Sequence, residues 1–150
     1  MNELDALYRE LILDHSKHPQ HFGLSTAEDA AGTTGESYQK NPVCGDEITL
    51  RAHVDGETIT GVTWEGRGCS ISQASASMLA DLVAEEGLSR AETVRLIEGF
   101  REALRSRGQL ELDEEVYGDA AALSGVSKFS ARVKCAMLAW VALEDAIAKA

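Results

Sequence analysis

Apolar residues recur every three or four positions near the start of the chain. Leu4, Leu7, Tyr8, Leu11 and Ile12 fall on one side of a 3.6-residue period. That spacing predicts an amphipathic helix over residues 3–17, capped by Asn2 and forced to end near His18 by Pro19. The pattern then lapses: residues 23–42 are rich in Gly, Ser, Thr and Ala and read mostly as loop, with a short strand over 33–39 only faintly signalled. Over residues 47–54 the period becomes two, with Ile48, Leu50, Ala52 and Val54 on one face of a strand. Asp55-Gly56 follows, the dipeptide favoured by a two-residue type I′ hairpin turn. The returning strand, 57–65, has a fault of phase, because Ile59 would face the core while Val62 and Trp64 face away. A β-bulge at Gly61 restores the phase.

Helical spacing returns with Ile71, Ala74, Met78, Leu79 and Leu82, a stripe that ends near Gly87. Ser89-x-x-Glu92 is a capping-box pattern, opening a helix with Val94, Ile97, Phe100 and Leu104 inward. Residues 108–126 carry no clear period and read as irregular. A last helix is expected over 130–148, capped by Ser127 or Ser130, with Val126, Phe129, Val133, Met137 and Trp140 in one stripe. The order of helix, strands and then helices predicts an α+β fold, a small three-stranded antiparallel sheet packed with helices.

The 150 residues fit one domain and can bury enough surface to fold without disulfides. With 25 acidic against 14 basic side chains the net charge is −11, which argues against nucleic acid or an anionic membrane as partner. No apolar run is long enough to cross a bilayer, and the first ten residues do not resemble a secretory signal. Three cysteines far apart in the chain point to free or metal-bound thiols in a reducing compartment, hence the cytoplasm.

Those cysteines carry the chemistry. In Asn41-Pro42-Val43-Cys44-Gly45-Asp46, a thiol and a carboxylate two residues apart on a loop can turn toward one point, and both are competent zinc ligands. The alternative is a surface turn with an incidental thiol. Cys69, in Gly66-Arg67-Gly68-Cys69-Ser70, sits where a strand meets a helix, and a helix N-terminus favours a thiolate. It also reads as a small core residue or, given a positioned histidine, as a nucleophile. Cys135 lies off the main stripe of the last helix, beside Arg132, which is placed to stabilise a thiolate or pair with Asp46; packing against a second apolar layer with Leu138 and Ala142 is the competing reading. Three cysteines and Asp46 make the four ligands of a tetrahedral zinc site. His15, His18 and His21 are a rival cluster, but Pro19 breaks their helix, and solvated or capping roles suit them better.

Together these motifs resemble a known family. Asn41-Pro42-x-Cys44-Gly45-Asp46, Gly66-x-Gly68-Cys69-Ser70-Ile71-Ser72 and Arg132-x-Lys134-Cys135-x-x-Leu138 look like the NifU/IscU-like iron–sulfur cluster assembly proteins, as does Asp14-His15-x-x-x-Pro19-x-x-Phe22-Gly23. The resemblance implies one site of Cys44, Asp46, Cys69 and Cys135 that binds zinc or an iron–sulfur cluster. Within the family the chain is similar to the SufU type. Lys134 stands where scaffold-type members usually have His, and the 66 positions separating Cys69 from Cys135 accommodate the extra residues of that type. The resemblance then implies a zinc-dependent acceptor of persulfide sulfur from a SufS-like cysteine desulfurase, relaying it to downstream iron–sulfur assembly machinery. Cys44 would be the sulfur acceptor and Arg132 would support the site. The alternatives are a scaffold for a [2Fe–2S] cluster, a structural zinc module that recruits partners, and a hydrolase built on Cys69.

Overall fold

The computed structural model describes residues 3–24, 32–42 and 44–150, with side chains from residue 8 onward. The expected Asn2 cap and the side chains of Leu4 and Leu7 lie outside that description. Helix α1 spans Glu3–Lys17 and lays Tyr8, Leu11 and Ile12 against the core.

Three strands, β1 (Thr33–Lys40), β2 (Glu47–Asp55) and β3 (Thr58–Arg67), form an antiparallel sheet in the order β1-β2-β3. The strand signal of β1 is faint because its inward positions are Gly35 and Ser37 rather than large apolar residues. A Cβ at Gly35 would run into the carbonyl oxygen of Ala146, so a helix crosses directly over this strand. The expected bulge is present: His53 pairs with Gly61 and Val54 with Ile59, leaving Thr60 as the extra residue. Ile59, Val62 and Trp64 are therefore all buried on one face. The turn differs from the expected one. Asp55 is still paired with Thr58, so the two-residue loop is Gly56-Glu57. A type I′ turn needs positive φ at both loop residues, and here only Gly56 has it, at 64°.

Helix α2 (Ser70–Glu86) follows and ends at Gly87 in the left-handed conformation. It packs against β3, α1 and the last helix, so residues 74–80 are buried without interruption. Helix α3 (Arg90–Arg105) starts with the expected capping box of Ser89 and Glu92. Ile97, Phe100 and Leu104 point inward, but Val94 falls at the margin of that face and is exposed, contrary to the sequence reading. Residues 108–126 are not irregular either. They hold a short helix α4 (Glu114–Tyr117) and a 3-10 helix (Gly118–Lys128) that buries Ala120, Ala121, Ala122, Leu123 and Val126.

Helix α5 (Ser130–Lys149) covers β1 and β2. Neither expected serine caps it: Phe129 occupies the cap position, and the Ser127 hydroxyl donates to the Ser124 carbonyl at 2.9 Å. Its buried face carries Cys135, Ala136, Ala139, Trp140, Ala142 and Leu143. Phe129, expected in the core stripe, is 62% exposed, because the helix is rotated toward the small residues that fit over the sheet. Trp140 stacks on Phe100 with centroids 3.7 Å apart, joining α3 to this layer. Among the described residues no helix is long and apolar enough to cross a membrane.

Candidate metal centre

The β1–β2 connection is closed on itself. The Asn41 N–H donates to the Asp46 carbonyl and the Gly45 N–H to the Asn41 carbonyl, each at 2.8 Å. Gly45 takes φ of 77°, a conformation unfavourable for side chains. Cys44 is exposed, while Asp46 is buried at 2%.

The β3–α2 junction supplies the second wall. Cys69 is the N-cap residue of α2 and has no side-chain cap bond of its own. Its N–H donates instead to Asp46 Oδ1 at 3.3 Å, so a carboxylate from another loop satisfies the helix start. The other oxygen, Oδ2, faces Cys69 Sγ at 3.8 Å. Gly68 makes this approach feasible: a Cβ there would lie 2.6 Å from Asp46 Oδ1 and 2.7 Å from its Cγ.

The third wall is α5. Cys135, 1% exposed, brings its thiol to the same point, and ligand atoms of Asp46, Cys69 and Cys135 lie within 4.8 Å of one another. Cys44 reaches this trio through Cys135, with the two sulfurs 3.9 Å apart and no disulfide between them. Zinc–sulfur bonds of 2.3 Å at tetrahedral angles put sulfurs about 3.8 Å apart, and a zinc-bound sulfur and oxygen about 3.6 Å apart. The observed 3.9 Å and 3.8 Å separations are close to those edges. Three thiols and a carboxylate are also the donor set that zinc accepts. Asp46, Cys69 and Cys135 are arranged to fit such a metal, with Cys44 at the edge of the group beside Cys135.

Electrostatics point the same way. Burial pushes the Cys135 thiol well above its ordinary range, reinforced by the neighbouring Asp46 and Cys69. Such a group stays protonated in the metal-free protein. A divalent cation reverses that logic, since a coordinated thiol loses its proton.

The remaining sequence candidates sit elsewhere. Arg132 and Lys134 are exposed, and among the described residues neither forms an ion pair, so the expected Arg132–Asp46 pair is not made. The three histidines do not converge. His18 is exposed, and His21 lies 3.5 Å from Asp81. His15 is buried, with Nδ1 2.7 Å from Ser77 Oγ and Nε2 3.0 Å from Asp119 Oδ2. Because a carboxylate only accepts, Nε2 carries a proton toward Asp119, while Nδ1 pairs with the Ser77 hydroxyl, whose oxygen accepts the Gln20 N–H at 2.8 Å. This clamp joins α1 to α2 and the 3-10 helix. Nothing in the sequence flagged it, since its partners are 62 and 104 positions away. The role of Gly68 did have a signal, the glycine-rich strand end itself.

Comparison with known proteins gives a consistent relationship. The model of the NifU-like N-terminal domain matches residues 7–136. The chain is 40% identical over 147 residues to the zinc-dependent sulfurtransferase SufU of Bacillus subtilis (strain 168), covering 97% of this chain and 92% of the relative. It is 38% identical over 147 residues to the iron–sulfur cluster assembly scaffold protein IscU of Streptococcus pyogenes serotype M1, covering 98% and 86%. Among solved structures, FiSufU of Fervidobacterium islandicum AW-1, described as a candidate iron–sulfur cluster assembly scaffold for the SUF system, superposes with a TM-score of 0.75. That pair is 32% identical, over 92% of this chain and 94% of the other.

Proposed function

Since the chain belongs to the NifU-like N-terminal domain family, we propose that it accepts sulfur from the persulfide of a cysteine desulfurase and relays it to iron–sulfur cluster assembly. Zinc would be held by Cys44, Asp46, Cys69 and Cys135. The zinc-dependent sulfurtransferase among its relatives supports the activity, and the clustered ligand atoms support the metal. Three free cysteines suit the reducing cytoplasm.

One observation carries the assignment of roles: Cys44 is exposed on a loop, while Cys69 and Cys135 are built into helices. Zinc, when bound, keeps the thiols deprotonated at neutral pH. Cys44, exposed beside Gly45 on the β1–β2 loop, can leave the site by a local loop movement, whereas moving either other cysteine disturbs a helix. Its thiolate attacks the outer sulfur of the desulfurase persulfide. The persulfide S–S bond breaks, a new S–S bond forms on Cys44, and the desulfurase cysteine departs as a thiolate. The transferred sulfur keeps its oxidation state, so neither oxidant nor reductant is consumed. Arg132, one helical turn before Cys135, is available to steady the anionic product.

A scaffold role is favoured by one observation, the likeness to the iron–sulfur cluster assembly scaffold protein of Streptococcus pyogenes. Protein isolated without air separates the two. About one zinc per chain and no colour is expected; iron, sulfide and visible absorption would establish the scaffold. In a desulfurase activity assay, Cys44→Ser should remain folded and lose stimulation of the enzyme.

A further inference from the structure

Charge is distributed unevenly along this acidic chain. The three stretches that carry the ligands, residues 37–46, 66–80 and 120–143, hold Lys40, Arg67, Lys128, Arg132 and Lys134 and, of acids, Asp46 alone. The remaining residues carry nine cations against 24 acids. The fold draws four of the five cations to the end of the molecule where the thiols lie. Lys40 closes β1 beside the Cys44 loop, Arg67 closes β3 two residues before Cys69, and Arg132 and Lys134 flank Cys135 on α5. Lys128 lies instead against Gly108.

All four are exposed, Arg67 with 84% of its side chain in solvent. Arg67 is partly neutralised by Glu47, at 2.7 Å, and Lys40 pairs across the β1–β2 ladder with the same residue and shares its charge, whereas Arg132 and Lys134 form no ion pair among the described residues. Outside the collar, Arg51 is tied to Glu36, Arg101 to Glu98 and Glu144, and Lys149 to Asp145, while Arg95 and Arg105 on α3 form no ion pair among the described residues and so make a matched control. Phe129, beside this collar at the start of α5, adds a large exposed apolar group.

From this segregation we propose that the collar of Lys40, Arg67, Arg132 and Lys134 docks an acidic protein surface, that surrounding the desulfurase persulfide; the proposal rests on the sulfur-transfer reading above. A body of net charge −11 repels an acidic partner from every other direction, so the collar orients the encounter with Cys44 foremost. The competing explanation is that the cations only balance the formal −2 of a zinc site with three thiolates and a carboxylate.

Desulfurase turnover is measured against the concentration of zinc-loaded protein, for the wild type, for Lys40→Glu/Lys134→Glu, and for Arg95→Glu/Arg105→Glu on α3. The last pair changes the net charge equally but away from the collar. In about 0.05 M salt the collar variant should raise KM roughly tenfold or more, with kcat and zinc content unchanged, and the gap should shrink in about 0.5 M salt. The α3 variant should match the wild type. An unmoved KM, an equal effect from the α3 pair, or a loss of zinc in place of a KM effect overturns the collar while leaving sulfur transfer intact. If the wild-type protein stimulates no desulfurase at all, the functional reading fails, and the collar proposal with it.

Discussion

Replacing Gly68 by alanine tests how tightly the metal centre is built. The new methyl carbon would lie 2.6 Å from Asp46 Oδ1 and 2.7 Å from Cγ, where ordinary contact begins near 3.4 Å. Asp46 is buried and bonded to the Cys69 N–H, so it has little room to yield. Relief requires the carboxylate to withdraw by about 0.7 Å, several times the ~0.2 Å tolerance of a metal–ligand bond. Displacements of groups that orient ligands typically cost 10–100-fold in metal affinity, or about 1.4–2.7 kcal/mol. The same movement uncaps α2, costing the metal-free protein about 0.5–2 kcal/mol. Zinc affinity is read by competition with a chromogenic chelator, and stability of the metal-free protein by urea unfolding. Gly87→Ala is the control: it strains a left-handed helix end by about 1 kcal/mol but stands apart from the ligands, so it should lower stability and spare zinc. Wild-type zinc affinity in a folded Gly68→Ala protein would refute the idea that this glycine makes room for the carboxylate.

Two further outcomes follow from groups outside the centre. His15→Ala removes a buried ring and both its hydrogen bonds, detaching α1 from Ser77 and Asp119, and should cost about 2–4 kcal/mol by urea denaturation; an unchanged midpoint would contradict the clamp. Burial, aided by Arg51, lowers the His53 pKa below its ordinary value near 6.5, so its contribution to stability is complete above about pH 6.5 and is lost as pH falls through the folded value. An NMR titration should place its midpoint below 6.5, and replacing His53 by Gln should flatten the acid side of the stability curve between pH 7 and 5. A midpoint at or above 6.5 would reverse the sign.

Much of this structure was legible in the sequence because local periodicity and core burial agree. The capping box of α3, the ends of α1 and α2, and the bulge that brings Ile59, Val62 and Trp64 onto one face all follow from neighbouring residues. Where the reading failed, packing partners decided. The inward positions of β1 are Gly and Ser because α5 crosses close above them, so the strand carried no apolar signal. On α5 the small Ala and Cys positions face the sheet, and the more conspicuous Phe129 is left outside. Val94 looked like the start of the α3 stripe but falls at its margin.

The site divides in the same way. Its four candidate ligand residues are recognisable from short motifs, because each motif must shape its own turn or helix end. Their unequal standing is not recognisable: that Asp46, Cys69 and Cys135 form a compact trio with Cys44 at its edge depends on how three distant segments meet. Arg132, three residues before Cys135 on α5, is exposed and makes no ion pair among the described residues, while Asp46 accepts from the Cys69 N–H.

The central claim is that Cys44 is the mobile ligand that takes the sulfur. The most direct test incubates the zinc-loaded protein with a cysteine desulfurase and cysteine, traps persulfides by alkylation, and maps the added sulfur by peptide mass analysis. The sulfur should be found chiefly on the peptide containing Cys44, with Cys69 and Cys135 unmodified. Sulfur accumulating on Cys69 or Cys135 while Cys44 stays unmodified would contradict the account.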